Sequence, residues 1–236
     1  MDKEILKNGL IEYGYKLQPD EEEKLNKFSE LLVEWNEKMN LTAVTQPADI
    51  SVKHFLDSIV PIFGIDIKEN SKIVDVGTGA GFPGMPIKII RDDLDFTFLD
   101  SLNKRITFLK EVSNQLQLQK AEFVHIRAED AGRDKNFRAK YDYAVSRAVA
   151  PLKILSEYCI PLLKIGGIFA SFKAFEIDEE INEAKSMIGS LGAKIKEVQE
   201  VKIPYSDITR KIVIIEKIKD TPKEFPRKAN KIKGKV

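Results

Sequence analysis

The stretch Asp75-Val76-Gly77-Thr78-Gly79-Ala80-Gly81-Phe82-Pro83-Gly84 follows the apolar residues Lys72-Ile73-Val74 and precedes a segment with helical periodicity. This arrangement predicts a strand, a glycine turn and a helix start. Glycines 77, 79 and 81 allow positive φ and carry no Cβ, so backbone N–H groups at the helix start can approach a ligand closely. The stretch predicts a loop for an adenosine-containing cofactor, although an ordinary tight turn has a similar composition.

Two classes of cofactor fit this loop. The spacing Gly79-x-Gly81-x-x-Gly84 matches a dinucleotide fingerprint, and Asp100 lies 19 residues after Gly81, near the position of a ribose-binding acid. However, Phe82-Pro83 fills the next turn, and proline offers no N–H to a pyrophosphate. The spacing alone therefore leaves a nicotinamide-dependent oxidoreductase open.

S-adenosylmethionine carries no phosphate, and its requirements differ. It needs a close backbone approach, an acid near the methionine end and an acid for the ribose diol, and Asp75 and Asp100 are the candidates. Asp100 also fits the N-cap of a helix predicted over residues 101–117. The cofactor interpretation and the capping interpretation of Asp100 both remain open.

The composition is typical of a globular enzyme: 236 residues, 43% hydrophobic and 32% charged. Cys159 is the only cysteine, and His54 and His125 are the only histidines. These counts argue against intrachain disulfides, a cysteine-rich zinc site and a multi-histidine metal site. The start Met-Asp-Lys-Glu is unlike a signal peptide and the longest apolar run, residues 59–65, is short. We expect a cytoplasmic monomer without a metal or a membrane segment.

The chain divides into three predicted parts: a helical extension over residues 1–50, a catalytic domain over 51–220 and a basic tail over 221–236. Apolar residues at helical spacing in the extension predict an amphipathic helix that packs on the catalytic domain: Leu25, Phe28, Leu31, Leu32, Trp35 and Met39. Strands are predicted near 72–76, 95–99, 121–125, 141–145, 167–172, 194–201 and 211–217. Helical segments separate the first five, which predicts an α/β, Rossmann-like fold with a mostly parallel seven-stranded sheet. The last two strands predict a terminal antiparallel pair.

Ligands of such sheets bind outside the carboxyl ends of the strands. After the first two strands come Asp75 and Gly77, then Asp100. After the third comes Ala128-Glu129-Asp130, which fits either an adenine contact or a helix cap.

The fourth strand ends in Ser146-Arg147-Ala148-Val149-Ala150-Pro151, where a methyl acceptor would lie. The segment has neither the Asn/Asp-Pro-Pro-aromatic motif of amino methyltransferases nor the thiol of cytosine C5 enzymes. Guanine N7 needs neither, because its lone pair is free and positioning supplies most of the catalysis. Arg147 fits contacts to a phosphate, guanine O6 or the cofactor carboxylate, and a buried ion pair with Asp142 or Glu129 is the alternative. We expect no general base.

Long motifs of the chain resemble one protein family. The motifs are Val33-Glu34-Trp35-Asn36-Glu37-Lys38-Met39-Asn40-Leu41-Thr42, Lys53-His54-Phe55-Leu56-Asp57-Ser58-Ile59, residues 75–86, residues 99–109, Arg127-Ala128-Glu129 and Ser146-Arg147-Ala148. They resemble the RsmG family, also called glucose-inhibited division protein B, of bacterial 16S rRNA guanine-N7 methyltransferases. The tail Thr221-Pro222-Lys223-Glu224-Phe225-Pro226-Arg227-Lys228 resembles the low-GC Gram-positive branch.

The resemblance implies the fold of class I S-adenosylmethionine-dependent methyltransferases. It also implies methyl transfer from that cofactor to N7 of a guanine in the helix 18 loop of 16S rRNA, free or within the small ribosomal subunit. By position, it implies that Gly77, Phe82, Ala128, Glu129 and Arg147 contact the cofactor. Our reading of the loop adds Asp75, Gly79, Gly81 and Asp100 to the cofactor site.

The net charge of +1 is low for an RNA-binding protein. Basic residues nevertheless cluster at 104–110 and after residue 222, where six Lys or Arg accompany one Glu. A tail of this kind is predicted to be disordered in isolation and to neutralise phosphates, or simply to aid solubility. The predicted RNA contacts are Lys104, Arg105, Lys223, Arg227 and Lys228. A catalytically silent RNA-binding protein remains an alternative.

Overall fold

The computed structural model describes residues 1–232, which include one mixed sheet of seven strands. The strands are β1 (Lys72–Val76), β2 (Asp95–Asp100), β3 (Ala121–His125), β4 (Tyr141–Arg147), β5 (Leu163–Lys173), β6 (Ala193–Lys202) and β7 (Thr209–Lys217). Their order is β3-β2-β1-β4-β5-β7-β6. Strand β7 runs in the opposite direction to the other six strands. The predicted α/β fold, with its terminal antiparallel pair, is confirmed.

Helices connect and flank these strands. They are α1 (Lys3–Ile11), α2 (Pro19–Met39), α3 (Pro47–Asp49), a π-helix (Ile50–Leu56), α4 (Asp57–Ile59), a 3-10 helix (Val60–Gly64), α5 (Gly84–Ile90), α6 (Asn103–Gln115), α7 (Ala128–Ala131), α8 (Leu152–Cys159), a second 3-10 helix (Ile160–Leu162), α9 (Asp178–Ser190) and α10 (Ala229–Ile232). The predicted boundary at residue 50 lies inside a helical run from Pro47 to Gly64. Helix α6 begins later than predicted because Leu102 has extended backbone, with φ −109° and ψ 108°.

Alternate strand residues fill two cores, one on each face of the sheet. In β1, Ile73 packs into the core that contains the N-terminal helices, and Val74 packs into the other. In β7, Ile212 packs into the core with the N-terminal helices and Val213 packs into the other. This alternation is the period of two that pleated strands impose, and burial of both faces requires helices on both sides.

Helix α2 carries the amphipathic pattern predicted from the sequence. Its first turn is capped reciprocally by Gln18 and Glu21, and it ends where Asn40 takes a left-handed conformation, with φ 50°. On its apolar face, Phe28 lies 5.3 Å from the ring centroid of Phe82, in the glycine loop. The extension therefore packs directly on the predicted cofactor loop. Within residues 1–232, no helix combines the length and the apolar character that crossing a membrane requires.

Candidate active site

Three adjoining cavities lie along the carboxyl edge of the parallel strands, around the point between β1 and β4 where the strand order reverses. The inner cavity, about 190 Å³, includes Gly77, Asp100 and Glu129 in its lining. The loop cavity, about 440 Å³, includes Gly79 and Arg147. The outer cavity, about 1340 Å³, shares Arg147, His54 and Val149 with the loop cavity. Open α/β sheets bind their ligands at this edge.

The glycine loop leaves its backbone uncovered on the cleft side. Gly77 and Gly79 have φ of +72° and +60°, a conformation that side chains disfavour. A Cβ on Gly77 would lie 2.6 Å from Val149, whereas a Cβ on Gly79 would project into open space, with no atom nearer than 4.0 Å. The space beside Gly79 is therefore available to a ligand that packs against backbone.

Asp75 lies beneath this loop, which differs from its predicted place beside the cofactor. It is fully buried, and its Oδ2 accepts hydrogen bonds from Thr78 Oγ1 at 2.7 Å and Gly84 N at 2.9 Å. Burial raises the pKa of Asp75 to about 7. Gly81 also faces inward, since a Cβ there would meet Met85 at 2.6 Å. Both residues shape the loop without lining the three cavities.

Asp100 faces the junction of the inner and loop cavities, as predicted for a cofactor-binding acid. Its Oδ2 accepts from Gly79 N at 2.9 Å and from Arg105 at 3.3 Å, and its Oδ1 accepts from Leu102 N at 2.8 Å. The carboxylate thus ties the glycine loop to the start of α6, whose N-cap is Leu102. A carboxylate has about four lone-pair sites, so one acceptor position is left for a ligand hydroxyl.

Ala128 and Glu129 begin the short helix α7 and line the inner cavity. Glu129 is buried, and its one polar side-chain contact within residues 1–232 is an ion pair of 3.9 Å with Arg127. Tyr158 and Ile154 supply apolar surface to the same cavity. An apolar slot with one open carboxylate suits a flat heterocycle that carries an amino group.

Arg147, at the end of β4, pairs with neither Asp142 nor Glu129. Its Nη1 donates to Asp57 Oδ2 at 2.9 Å, and Arg210 donates to the same carboxylate through Nε at 2.7 Å and Nη2 at 3.0 Å. Asp57 is 1% exposed. Burial lowers the pKa of Arg147, and the negative charge of Asp57 opposes that shift.

His54 and Phe82 form a stacked pair at the floor of the loop cavity, with centroids 4.3 Å apart and planes 15° apart. The guanidinium of Arg147 lies 5.4 Å from the Phe82 centroid. Burial, assisted by the charge of Arg147, lowers the pKa of His54 to about 4. The imidazole is therefore neutral at physiological pH, and its Nε2 contacts Thr42 Oγ1 at 2.9 Å.

The His54 environment contributes a loss of stability in mild acid, which the raised pKa of Asp75 opposes. Because the pKa falls from 6.5 in the unfolded chain to about 4 in the folded chain, the unfolded state binds an extra proton between these values. The stabilisation is complete above pH 6.5 and is lost as pH falls toward 4, by about 2 kcal/mol at pH 5. We expect His54→Phe, which keeps the stacking, to remove this part of the pH dependence. Urea unfolding at pH 7 and pH 5 measures it, and parallel profiles for the two proteins would contradict the assignment.

The five predicted RNA-binding residues lie in different environments. Lys223 and Lys228 are exposed. Lys104 donates to Met39 O at 3.2 Å, and Arg105 lies beside Asp100 at the loop cavity rather than on a separate basic surface.

Arg227 is partly buried and pairs with the domain, which differs from the prediction of a free basic tail. Its backbone N and its side-chain Nε and Nη2 donate to Glu157, a fully buried carboxylate, at 2.6 to 3.1 Å. Arg138 and Arg133 donate to backbone carbonyls of residues 221–226. The segment from Thr221 to Arg227 is thus packed on the domain, whereas the predicted charges Lys233 and Lys235 lie outside the described residues.

Four residues of the cleft were not predicted as site residues: Thr42, His54, Asp57 and Arg210. Three of them lie in motifs that were quoted only for the resemblance. Arg210 had no local signal, but strand direction gives one, because the first residues of an antiparallel β7 must lie at the carboxyl edge of β5.

The model for the family rRNA small subunit methyltransferase G (GidB) matches residues 21–213. A protein of that description from Alkaliphilus metalliredigens (strain QYMF) is 49% identical, and the alignment covers 96% of this chain and 95% of the relative. The one from Bacillus subtilis (strain 168) is 46% identical over 97% of this chain and 95% of its own.

Among solved structures, a SAM-dependent methyltransferase from Aquifex aeolicus shares the fold, with a TM-score of 0.51, 18% identity, and coverage of 72% of this chain and 94% of that chain. These similarities exclude the alternative that the chain is a nicotinamide-dependent oxidoreductase. The chain belongs to the family of rRNA small subunit methyltransferases G.

Proposed function

We propose that this enzyme methylates N7 of a guanine in the helix 18 loop of 16S rRNA. Membership of the family makes the chain an S-adenosylmethionine-dependent methyltransferase of small-subunit rRNA. What goes beyond family membership is the methylated atom, N7 of guanine, and the position of that guanine in the helix 18 loop. The proposal is supported most by the end of β4, where Arg147 is followed by the small apolar residues Ala148, Val149 and Ala150 at the junction of the loop and outer cavities.

The acceptor atom follows from what this segment offers. Exocyclic amines and carbon acceptors lose a proton on methylation and require a group to hold or take it, whereas N7 uses a lone pair in the plane of the base. His54 lines both the loop cavity and the outer cavity, and its depressed pKa makes it a poor base. The enzyme's contribution is therefore to position the guanine and to exclude water.

The cleft fits S-adenosylmethionine in shape and in polar groups. Glu129 and the Ala128 N–H would hold the adenine in the inner cavity, and Asp100 would accept from the ribose. Gly77 and Gly79 would carry the remainder of the cofactor toward Arg147. When bound, the cofactor supplies an electrophilic methyl group on a positively charged sulfonium.

Asp75 supports this site indirectly. By bonding both Thr78 and Gly84, it holds the glycine loop in the conformation that leaves Gly79 uncovered. Phe82 connects the loop to α2 by stacking on Phe28.

Gly79→Ala tests whether the cofactor packs on the loop backbone. The new methyl group enters open space, so we expect a loss of stability of only about 1 to 2 kcal/mol from the left-handed conformation. The same methyl group occupies the proposed cofactor volume, and we expect S-adenosylmethionine affinity to fall at least tenfold. Isothermal titration with the cofactor, alongside thermal unfolding, measures both effects. Gly166→Ala, at another positive-φ position in open space, is the matched control. Equal affinity in the two variants would contradict the placement.

Methyl transfer tests the proposed function. Small subunits from a strain that lacks the modification are incubated with the enzyme and methyl-labelled S-adenosylmethionine, and subunits from the parent strain, which already carry the methyl group, serve as the control. We expect label in 7-methylguanosine, identified by mass spectrometry, and borohydride and aniline cleavage at one helix 18 guanine. Label in a different nucleoside, or absence of label despite cofactor binding, would contradict the proposal and favour another acceptor or a silent RNA-binding protein.

A further inference from the structure

We propose that Arg210 and Arg147, held by the buried Asp57, form a binding site for a phosphate group of the acceptor RNA. In this site Arg210 contacts the substrate and Asp57 is a positioning residue. The inference rests on the proposed function, because it takes RNA as the ligand of the outer cavity.

The charges of the cluster do not balance. Two guanidinium groups share one carboxylate, and the neighbouring His54 is neutral, so the cluster carries a net positive charge where Asp57 is 1% exposed. An uncompensated charge in a poorly solvated cleft is costly unless an anion accompanies it. The cluster therefore favours an anionic ligand.

The geometry leaves donors for that ligand. Each guanidinium carries five N–H donors. Within residues 1–232, Arg210 uses Nε and Nη2 on Asp57, and Arg147 uses Nη1 on Asp57 and on the carbonyl of Lys53. Because hydrogen bonds to Asp57 fix the planes of both guanidinium groups, their remaining N–H groups are oriented before the ligand binds.

The position of Arg210 distinguishes an RNA phosphate from the cofactor carboxylate. Arg147 lines both the loop cavity and the outer cavity, whereas Arg210 lines only the outer one. The outer cavity, at about 1340 Å³, has room for a nucleotide. The lining also contains five acidic residues, Glu176, Asp178, Glu179, Glu180 and Glu183. Its three lysines each pair with a carboxylate: Lys53 with Asp49, Lys173 with Glu180 and Lys211 with Asp178. Repulsion from these carboxylates makes the arginine cluster the favoured place for a phosphate.

The same cavity offers a surface for a base. Phe175 lies in the lining of this cavity and is 48% exposed, and Lys211 Nζ lies 5.0 Å from the centroid of its ring. Exposed aromatic rings beside cations are typical of sites that stack unpaired RNA bases. A phosphate on Arg210 would place the adjoining nucleotide near this ring.

Arg210→Gln tests the site, with Lys196→Gln as the control that removes one exposed charge beside the cavity at the opposite edge of the sheet. We expect Arg210→Gln to raise KM for unmethylated small subunits about tenfold and to reduce the slope of log K against log salt by about 1. S-adenosylmethionine affinity should stay within twofold of the wild type. Lys196→Gln should change neither quantity.

Asp57→Asn separates positioning from charge. Both arginines remain, so we expect RNA affinity to fall while the salt slope stays at or above the wild-type value; circular dichroism confirms that the variant is folded. The proposal is overturned if Arg210→Gln keeps the wild-type KM and slope, or if it weakens cofactor binding as much as RNA binding. All variants are compared with a wild type whose product nucleoside is known, so failure of the phosphate site and failure of the proposed acceptor are distinguished.

Discussion

Replacing Arg147 by alanine is expected to lower kcat/KM for small-subunit methylation by about 10²-fold or more while the protein stays folded. Arg147 lies where the loop cavity meets the outer cavity, and within residues 1–232 it is the one arginine that borders both, which are the proposed cofactor and acceptor sites. Loss of alignment between two reactants typically costs this much when the chemistry depends on positioning. Folding should survive because Asp57 keeps two hydrogen bonds from Arg210.

Single-turnover methylation with saturating cofactor measures the effect. Arg91→Ala is the matched control, because Arg91 also pairs with an aspartate, at 2.7 Å, but contacts Ile67 before β1 and so lies at the opposite edge of the sheet. Arg147→Lys keeps the charge but not the planar fork, and we expect intermediate activity. A wild-type rate in Arg147→Ala would remove Arg147 from the active site.

Arg227→Ala should lower the free energy of unfolding by about 3 to 5 kcal/mol, the largest stability effect that we expect from a single side chain. Glu157 is fully buried, and the substitution removes its charged partner and leaves only the backbone N–H of residue 227. A buried carboxylate without a counter-ion is far more costly than the pair is favourable. The C-terminal segment therefore acts as part of the fold.

Urea unfolding of four proteins measures this coupling: the wild type, Arg227→Ala, Glu157→Gln and the double variant. We expect the double variant to be more stable than Arg227→Ala, because a neutral amide tolerates burial better than a carboxylate. A loss below about 1 kcal/mol in Arg227→Ala, or strictly additive effects, would show that the ion pair is weak.

Much of the fold could be predicted because its determinants are local. The glycine loop, the alternation of strand and helix patterns, and the short Pro204-Tyr205-Ser206-Asp207 connection are each visible over a few residues. The insertion of β7 between β5 and β6 was not predicted, because strand order depends on pairing between distant segments.

The candidate site was predictable in part for the same reason. Asp100 and Glu129 follow strand ends, which a parallel sheet brings together. Asp75 follows the same rule but is buried, because it lies in register with Phe98, two residues before Asp100, and so below the carboxyl end of the strand. The partner of Arg147 is Asp57, 90 positions away at the start of α4, and only tertiary packing brings it to Arg147 of β4 and Arg210 of β7.

The packing of residues 221–227 on the domain could not be predicted from the number of charges. Six basic residues after position 222 suggested a free polycation, but the count contains no information about the buried Glu157 that takes Arg227. Exposed Lys223 and Lys228 remain candidates for RNA contact.

The most direct test is a crystal structure of the protein with S-adenosylhomocysteine. We expect the adenine in the inner cavity within hydrogen-bond distance of Glu129, the ribose at Asp100, and the sulfur beside Gly79 and facing Arg147 at the mouth of the outer cavity. Adenosine bound outside this cleft, or a sulfur that faces away from Arg147 and the outer cavity, would contradict the proposed arrangement of cofactor and acceptor sites.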